Sequence, residues 1–325
     1  MFVNYSNLLF MSITIMGVMV SISSSSWLII WIGMEINLMS FIPLISIKSI
    51  LNSEFLMKYF IVQSISSMIV MFSLMMIMMN INLFMMIMLS SLIMKMGGAP
   101  FHNWVVSTID GLHYESVFML LVIMKISPLM MTSFMNLNLM MFSSLSLIIG
   151  SINGLNQSSI IKLMTFSSIY NLGLMLYSLS MNSIWIMALI IYSFILTSFL
   201  ILLKKFKFNY INQMVFNNSS KFSKILIIIP LLSLGGMPPF LGFQMKMMIF
   251  ELMMLNNNLL LISIMVFSSL VIMYFYLNMI VSSLMFSSIS MKFMSNKKMK
   301  INFDLVILMI NLVMFFPMML MKFMI

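Results

Sequence analysis

The sequence predicts an all-α polytopic membrane protein with eleven transmembrane helices, arranged as two inverted five-helix repeats, each with one broken helix, plus one extra helix. Three observations carry that expectation. Apolar runs of about 20 residues recur from end to end, each long enough to cross a hydrocarbon core of about 30 Å at about 1.5 Å per residue. Charged residues make up only 7% of the chain and hydrophobic residues 62%, against roughly 25% charged in a soluble domain. Two of the runs are interrupted by glycine and proline in corresponding places, which is the mark of repeated transporter folds.

The expected spans are 5–23, 27–47, 59–79, 82–105, 116–136, 138–156, 160–180, 183–203, 225–254, 258–288 and 305–325. Ser23 to Ser26 make the first turn, and Asp110-Gly-Leu-His-Tyr-Glu115 makes a short polar loop. Lys204 to Lys224 is the longest polar stretch, followed by Met291 to Asp304. No segment has room for a soluble domain, so residues 1–325 read as one membrane domain, with repeats at 5–136 and 137–288 and an extra C-terminal helix at 305–325.

Lysine placement checks the count. The loops after spans two, six, eight and ten hold Lys48, Lys58, Lys162, Lys204, Lys205, Lys207, Lys221, Lys224, Lys292, Lys297, Lys298 and Lys300 at or near their edges. The other loops hold Asp110 and Glu115 and almost no lysine, and Lys322 stands at the far C-terminal end. Lysine-rich loops stay on the matrix or cytoplasmic side. The N-terminus is therefore expected there and the C-terminus on the opposite face. The broken spans are four and nine, an odd number apart, so they cross in opposite directions, as an inverted repeat requires.

Composition excludes several classes. The net charge of +10 comes from lysine alone, because the chain has no arginine. Those lysines sit in short loops and orient the chain, whereas nucleic-acid binding calls for an exposed basic face. There are no cysteines, which removes disulfides, iron–sulfur ligation and thiolate metal sites. Two histidines and six carboxylates leave little for haem or a multi-metal site, so no metal or redox centre is expected on this chain. The 49 methionines could form a soft surface or a copper path, but they are spread everywhere, as compositional bias would spread them. The start, Met-Phe-Val-Asn-Tyr-Ser-Asn, carries no positive charge and resembles neither a secretory leader nor a transit peptide. It is expected to be made beside the membrane it enters.

The candidate functional residues are the charges stranded inside spans: Glu35, Lys95, Lys125 and Lys246. Glu35 lies eight residues beyond Trp27, about 12 Å deep. Lys95 precedes the break Gly97-Gly98-Ala-Pro100, and Lys246 follows the break Gly235-Gly236-Met-Pro238-Pro239. Lys125 comes just before Ser127-Pro128. A charge at a helix centre costs roughly 2.5–3.5 kcal/mol on insertion scales and commonly marks an ion or proton path. Lys58 and Lys162, near span ends, can instead snorkel to the interface. Burial favours the neutral form of either group, and an opposite charge nearby favours the charged form. A row of such groups can pass a proton along, with water held at backbone groups that the glycines and prolines free. His102, just after the first break, is a further candidate member; His113 lies in the polar loop beside Glu115.

Several motifs then point to a known family. Gly33-Met-Glu-Ile-Asn-Leu-Met-Ser-Phe41, Lys95-Met-Gly-Gly-Ala-Pro-Phe-His-Asn-Trp104, Gly154-Leu-Asn-Gln-Ser-Ser159, Lys162-Leu-Met-Thr-Phe-Ser-Ser-Ile169 and Leu232-Ser-Leu-Gly-Gly-Met-Pro-Pro-Phe-Leu-Gly-Phe243 occur in the family's order. In these the chain resembles the antiporter-like membrane-arm subunits of mitochondrial NADH:ubiquinone oxidoreductase (respiratory complex I), in particular the chain 2 family. The resemblance implies a proton-translocating subunit of the inner mitochondrial membrane. It carries over Glu35 and Lys95 as paired charges, Lys125 as the central relay lysine and Lys246 as the lysine of the second broken helix. It places NADH, flavin, iron–sulfur clusters and ubiquinone elsewhere in the complex. It implies other hydrophobic membrane-arm subunits and bilayer lipid, cardiolipin included, as neighbours.

The chain departs from the family pattern in places. Ile123-Met-Lys125 stands where Trp-Gln-Lys is common, Met245-Lys246-Met247 where Pro-Lys-Trp is common, and Ile161-Lys162 where an Arg-Lys pair is common. Tyr170-Asn171 stands where Asn-His is common, which removes a histidine from any proton path there. Two other functions compete with the first: a stand-alone cation/proton antiporter, which would keep a carboxylate pair at a break, and a membrane spacer whose charges are idle.

Overall fold

The computed structural model describes residues 5–46, 50–81, 83–135, 137–179, 184–216 and 221–285. The expected eleventh span and the lysines beyond residue 285, together with Lys48 and Asp304, lie outside the described residues. Within them the chain is helical, with one isolated β-bridge between Ser159 and Tyr210. The helices are α1 (Tyr5–Ser23), α2 (Trp27–Ile45), α3 (Ile50–Met78), α4 (Phe84–Met96), α5 (Asn103–Thr108), α6 (Tyr114–Phe118), α7 (Met124–Ser133), α8 (Met140–Gly154), α9 (Ile160–Ser178), α10 (Ile184–Phe206), α11 (Ile211–Phe216), α12 (Lys221–Gly235), α13 (Leu241–Leu255) and α14 (Leu259–Met285). A 3₁₀ turn, Ile109–Gly111, follows α5, and a π-helical turn, Met119–Ile123, joins α6 to α7.

Among the described residues, seven helical stretches are long and apolar enough to cross a membrane unaided. Segments four, six and nine appear as the shorter apolar helices Phe84–Met96, Met140–Gly154 and Leu226–Gly235, and segment eleven is not described. One boundary moves substantially: α3 starts at Ile50 rather than near residue 59. Hydropathy left Lys58 at a loop edge, but the helix runs on through it and Glu54, since backbone hydrogen bonding does not depend on an apolar side chain.

Many large apolar side chains are exposed, and many hydroxyls are buried among apolar neighbours, unlike in a soluble bundle. Met16, Phe267 and Leu259 are 66%, 70% and 75% exposed, while Ser66, Ser73, Ser91, Thr108 and Ser143 are buried. The buried hydroxyls do not go unsatisfied. Ser66 donates to the carbonyl of Gln63 at 2.8 Å and Ser91 to that of Met88 at 2.7 Å, each within its own helix. Every residue of α9 except Ile161 and Lys162 is buried, so α9 is the inner helix of its unit.

The chain divides into two compact units, Met1–Ser146 and Leu147–Ile325. In the first, α1 packs on α2, α3 on α4, and α7 against α1, α2 and α4. In the second, α12 packs on α14, and α10 on α9, α12 and α13. The crossing of α1 and α2 depends on two small residues. A Cβ at Gly33 would come 2.7 Å from the carbonyl oxygen of Gly17 and 3.0 Å from Ser21 Cβ. A Gly33→Ala chain should force the helices apart at a cost of about 1–3 kcal/mol. The expected readout is a lower midpoint in thermal inactivation of the assembly that contains it.

Candidate functional site

Each break in the apolar helices is a glycine-capped helix end. After α4, Gly97 takes the left-handed conformation (φ +70°). Its N–H donates to the Met94 carbonyl at 3.2 Å, and the Gly98 N–H donates to the Ile93 carbonyl at 3.0 Å. This pair of reversed bonds is the Schellman closure. After α12 the same closure is made by Gly236 (φ +80°), with Gly236 N–H to Ser233 O at 3.1 Å and Met237 N–H to Leu232 O at 3.2 Å. A Gly-Gly-x-Pro match sets Gly97 beside Gly235, but the left-handed residue is Gly236. The corrected register brings Pro100 onto Pro239 and Phe101 onto Phe240.

The last carbonyls of α4 are capped by side chains. Trp104 Nε1 donates to Met94 O at 3.0 Å, and Gln63 Nε2 donates to Lys95 O at 3.1 Å. Lys95 sits in this last turn, where the negative end of the helix dipole favours a cation. Its ammonium also meets a carboxylate: Lys95 Nζ lies 3.3 Å from Glu35 Oε1, with side-chain exposures of 3% and 25%. The structure thus pairs Glu35 with Lys95. Attraction at that distance is about 5 kcal/mol at an effective dielectric near 20, before both groups' loss of hydration is counted.

Lys125 lines the same cavity as Lys95. It stands two residues past the π-helical turn Met119–Ile123 and is 5% exposed. Pro128, inside α7, removes the N–H that would have bonded the Met124 carbonyl. Such bulges and kinks re-aim side chains and recur at functional sites. A cavity of about 20 Å³ is lined by Lys95 and Lys125 together with Asn37, Tyr59, Gln63 and Ser127. Asn37 Nδ2 donates to Ser127 Oγ at 3.3 Å, which ties α2 to α7 on the cavity wall. A cavity needs about 10–15 Å³ of such volume to hold one water, and it needs polar walls. This one has both.

Lys246, in the second unit, is 9% exposed. Its Nζ donates to the Gly235 carbonyl at 2.7 Å and lies 5.7 Å from the centre of the Tyr170 ring. Gly236 makes room for it, since a Cβ there would sit 2.6 Å from Lys246 Nζ. Lys95 precedes its break and Lys246 follows its own, yet both ammonium groups end at the C-terminal, electronegative end of a half-helix.

His102 is 8% exposed, and its Nδ1 is 3.1 Å from the Pro100 carbonyl, which fixes its ring against the break. His113, Asp110 and Glu115 are exposed, as expected of a polar loop. Sequence reasoning missed the parts played by Tyr59, Gln63 and the Trp104 indole. One signal was available: Tyr59 and Gln63, four residues apart in an otherwise apolar run, share a helix face. Among the described residues, no three His, Asp or Glu side chains group as metal ligands would.

Comparison with known proteins agrees with this architecture. The family described as NADH:quinone oxidoreductase/Mrp antiporter, TM, matches residues 75–272. NADH-ubiquinone oxidoreductase chain 2 of Anopheles gambiae is 41% identical over 289 residues, covering 84% of each chain. The Aedes aegypti protein of the same name is 36% identical over 289 residues, again covering 84% of each. Among solved structures, a chain of respiratory complex I from Thermus thermophilus superposes with a TM-score of 0.80 at 18% identity, over 86% of this chain and 71% of that one. The fold is therefore antiporter-like. With two breaks of one geometry, buried lysines at each and a family match over more than half its length, the chain belongs to the NADH:quinone oxidoreductase/Mrp antiporter membrane family.

Proposed function

We propose that this chain is a proton-translocating membrane-arm subunit of respiratory complex I, in which Glu35, Lys95, Lys125 and Lys246 pass protons. The observation that supports this best is the Glu35–Lys95 ion pair, whose lysine also lines a cavity shared with Lys125. An ammonium paired with a carboxylate keeps its proton. If Glu35 moves away, the ammonium is left in a poorly hydrated place at a cost of several kcal/mol, and the proton passes to the next acceptor. A water in the shared cavity can carry it to Lys125. Lys246, held against the Gly235 carbonyl, is a further station, and His102, buried at the first break, is a further candidate member.

The same proposal includes eleven spans built as two inverted five-helix repeats, of which the matching glycine closures are the best support. It also includes a mitochondrial inner membrane location with the N-terminus on the matrix side. The partners are other hydrophobic membrane-arm subunits and bilayer lipid, cardiolipin among them. NADH, flavin, iron–sulfur clusters and ubiquinone belong to the rest of the complex, and this chain contributes proton transfer to the overall reductase reaction.

A K246M chain tests this. The expected outcome is an assembly of normal mass on a native gel, with proton uptake into vesicles and NADH-driven quinone reduction both reduced by about 10²-fold or more. Unchanged proton uptake would favour an inert spacer. Recovery of the active chain alone, outside any larger complex, would favour a stand-alone antiporter.

A further inference from the structure

Tyr59 is a buried polar group that the relay described above does not use. It lies in α3, 1% exposed, with its ring against Phe41 (5.3 Å between centres) and Trp104 (5.9 Å). These rings hold the phenol on the wall of the cavity shared by Lys95 and Lys125. The Tyr59 hydroxyl has no hydrogen-bond partner among the described residues. The side-chain oxygen of Asn37, another residue of the cavity lining, also has no partner among the described residues. Burying a hydroxyl unbonded costs about 1–3 kcal/mol, and the usual resolution is an ordered water with two to four polar partners. Here polar side chains line the cavity: the two lysines, Gln63, Ser127 and the phenol.

We propose that Tyr59 is a positioning residue for proton transfer between Lys95 and Lys125, its hydroxyl anchoring one bridging water in the cavity that both lysines line. This rests on the relay reading. In the step, an N–H bond of the Lys95 ammonium breaks as an O–H bond forms on the water. A different O–H bond of that water breaks as an N–H bond forms on neutral Lys125. The phenol keeps its proton throughout and fixes where the oxygen sits, so one oxygen reaches both amines.

The test is Y59F in the whole complex, reconstituted into lipid vesicles, because phenylalanine keeps the ring packing and removes only the hydroxyl. Expected are normal assembly, proton translocation slowed about two- to tenfold, the worth of one hydrogen bond, and a larger solvent deuterium isotope effect on translocation. A purely structural hydroxyl would leave the isotope effect unmoved. Wild-type rate and isotope effect in Y59F would overturn the proposal. K95M in the same assay separates the layers. If K95M stops translocation while Y59F behaves as wild type, only the role of Tyr59 falls; if K95M pumps normally, the relay falls and this role with it. Should Y59F fail to assemble, a map of the wild-type complex decides. Water density within hydrogen-bond distance of the Tyr59 hydroxyl and both lysines supports the assignment, and a dry cavity or a protein partner for the hydroxyl overturns it.

Discussion

Replacing Lys95 with methionine should abolish proton translocation, by about 10²-fold or more, in an assembly of normal yield. The methionine keeps the apolar stem that packs beneath the break and leaves behind only Glu35. That carboxylate is 25% exposed, so it can pick up a proton or a water at small cost. The reverse substitution, E35Q, should be harder on the protein. It strands an ammonium that is 3% exposed, and breaking a buried pair from one side costs about 3–5 kcal/mol while the remaining charge persists. The expected order is therefore specific: K95M assembles well and does not pump, whereas E35Q assembles poorly and pumps weakly. Quantitative native gels beside proton uptake in vesicles read both effects. Equal assembly defects in the two variants would mean that the exposure difference across the pair does not govern its energetics.

The second large effect is on architecture. A Cβ added at Gly242, in the first turn of α13, would overlap the carbonyl oxygen of Ser233 near the end of α12. That oxygen belongs to helix backbone and cannot swing aside, so α12 and α13 must separate at the second break. Strain of about 1–3 kcal/mol, or more where the backbone cannot yield, follows. The Lys246–Gly235 contact, 2.7 Å in the native chain, should be lost with it. G242A is thus expected to lower the amount of assembled complex several-fold. Gly235 supplies the contrast, since its added Cβ would meet nothing closer than Tyr276 Cβ at 3.7 Å. G235A should assemble close to wild type although it sits in the same motif. Similar losses in both variants would show that glycine is needed there for flexibility rather than for close approach.

Particular residues show why the sequence reading reached some features and not others. The breaks were legible because glycines and prolines crowded together, at Gly97, Gly98 and Pro100 and again near Pro238 and Pro239, strongly disfavour a continuous α-helix inside an apolar run. The membrane charges were legible because burying Lys95, Lys125, Lys246 or Glu35 is costly wherever the helices pack. Which glycine turns left-handed was not legible, since Gly235 and Gly236 differ only in what lies over them, and that is the Lys246 side chain eleven residues from Gly235. The π-helical turn before Lys125 left no trace either. Val117 to Ile123 is uniformly apolar, so no periodicity separates a wide turn from an ordinary one. The start of α3 was missed because Glu54 and Lys58 look like loop residues to any hydropathy reading. Tyr59 and Gln63 gained meaning only once α3 was set beside its neighbours, because Gln63 bonds Lys95, 32 residues on, and Tyr59 packs on rings from α2 and α5.

Lys125 is where the proposed transfer succeeds or fails, since it is 5% exposed and shares its cavity with Lys95. Protons taken up per NADH oxidised should be measured in vesicles containing the K125M complex, alongside its turnover. Expected is an intact assembly in which both turnover and proton uptake fall to background. Normal turnover with an undiminished number of protons per NADH would contradict the proposal that buried lysines in this chain carry the protons.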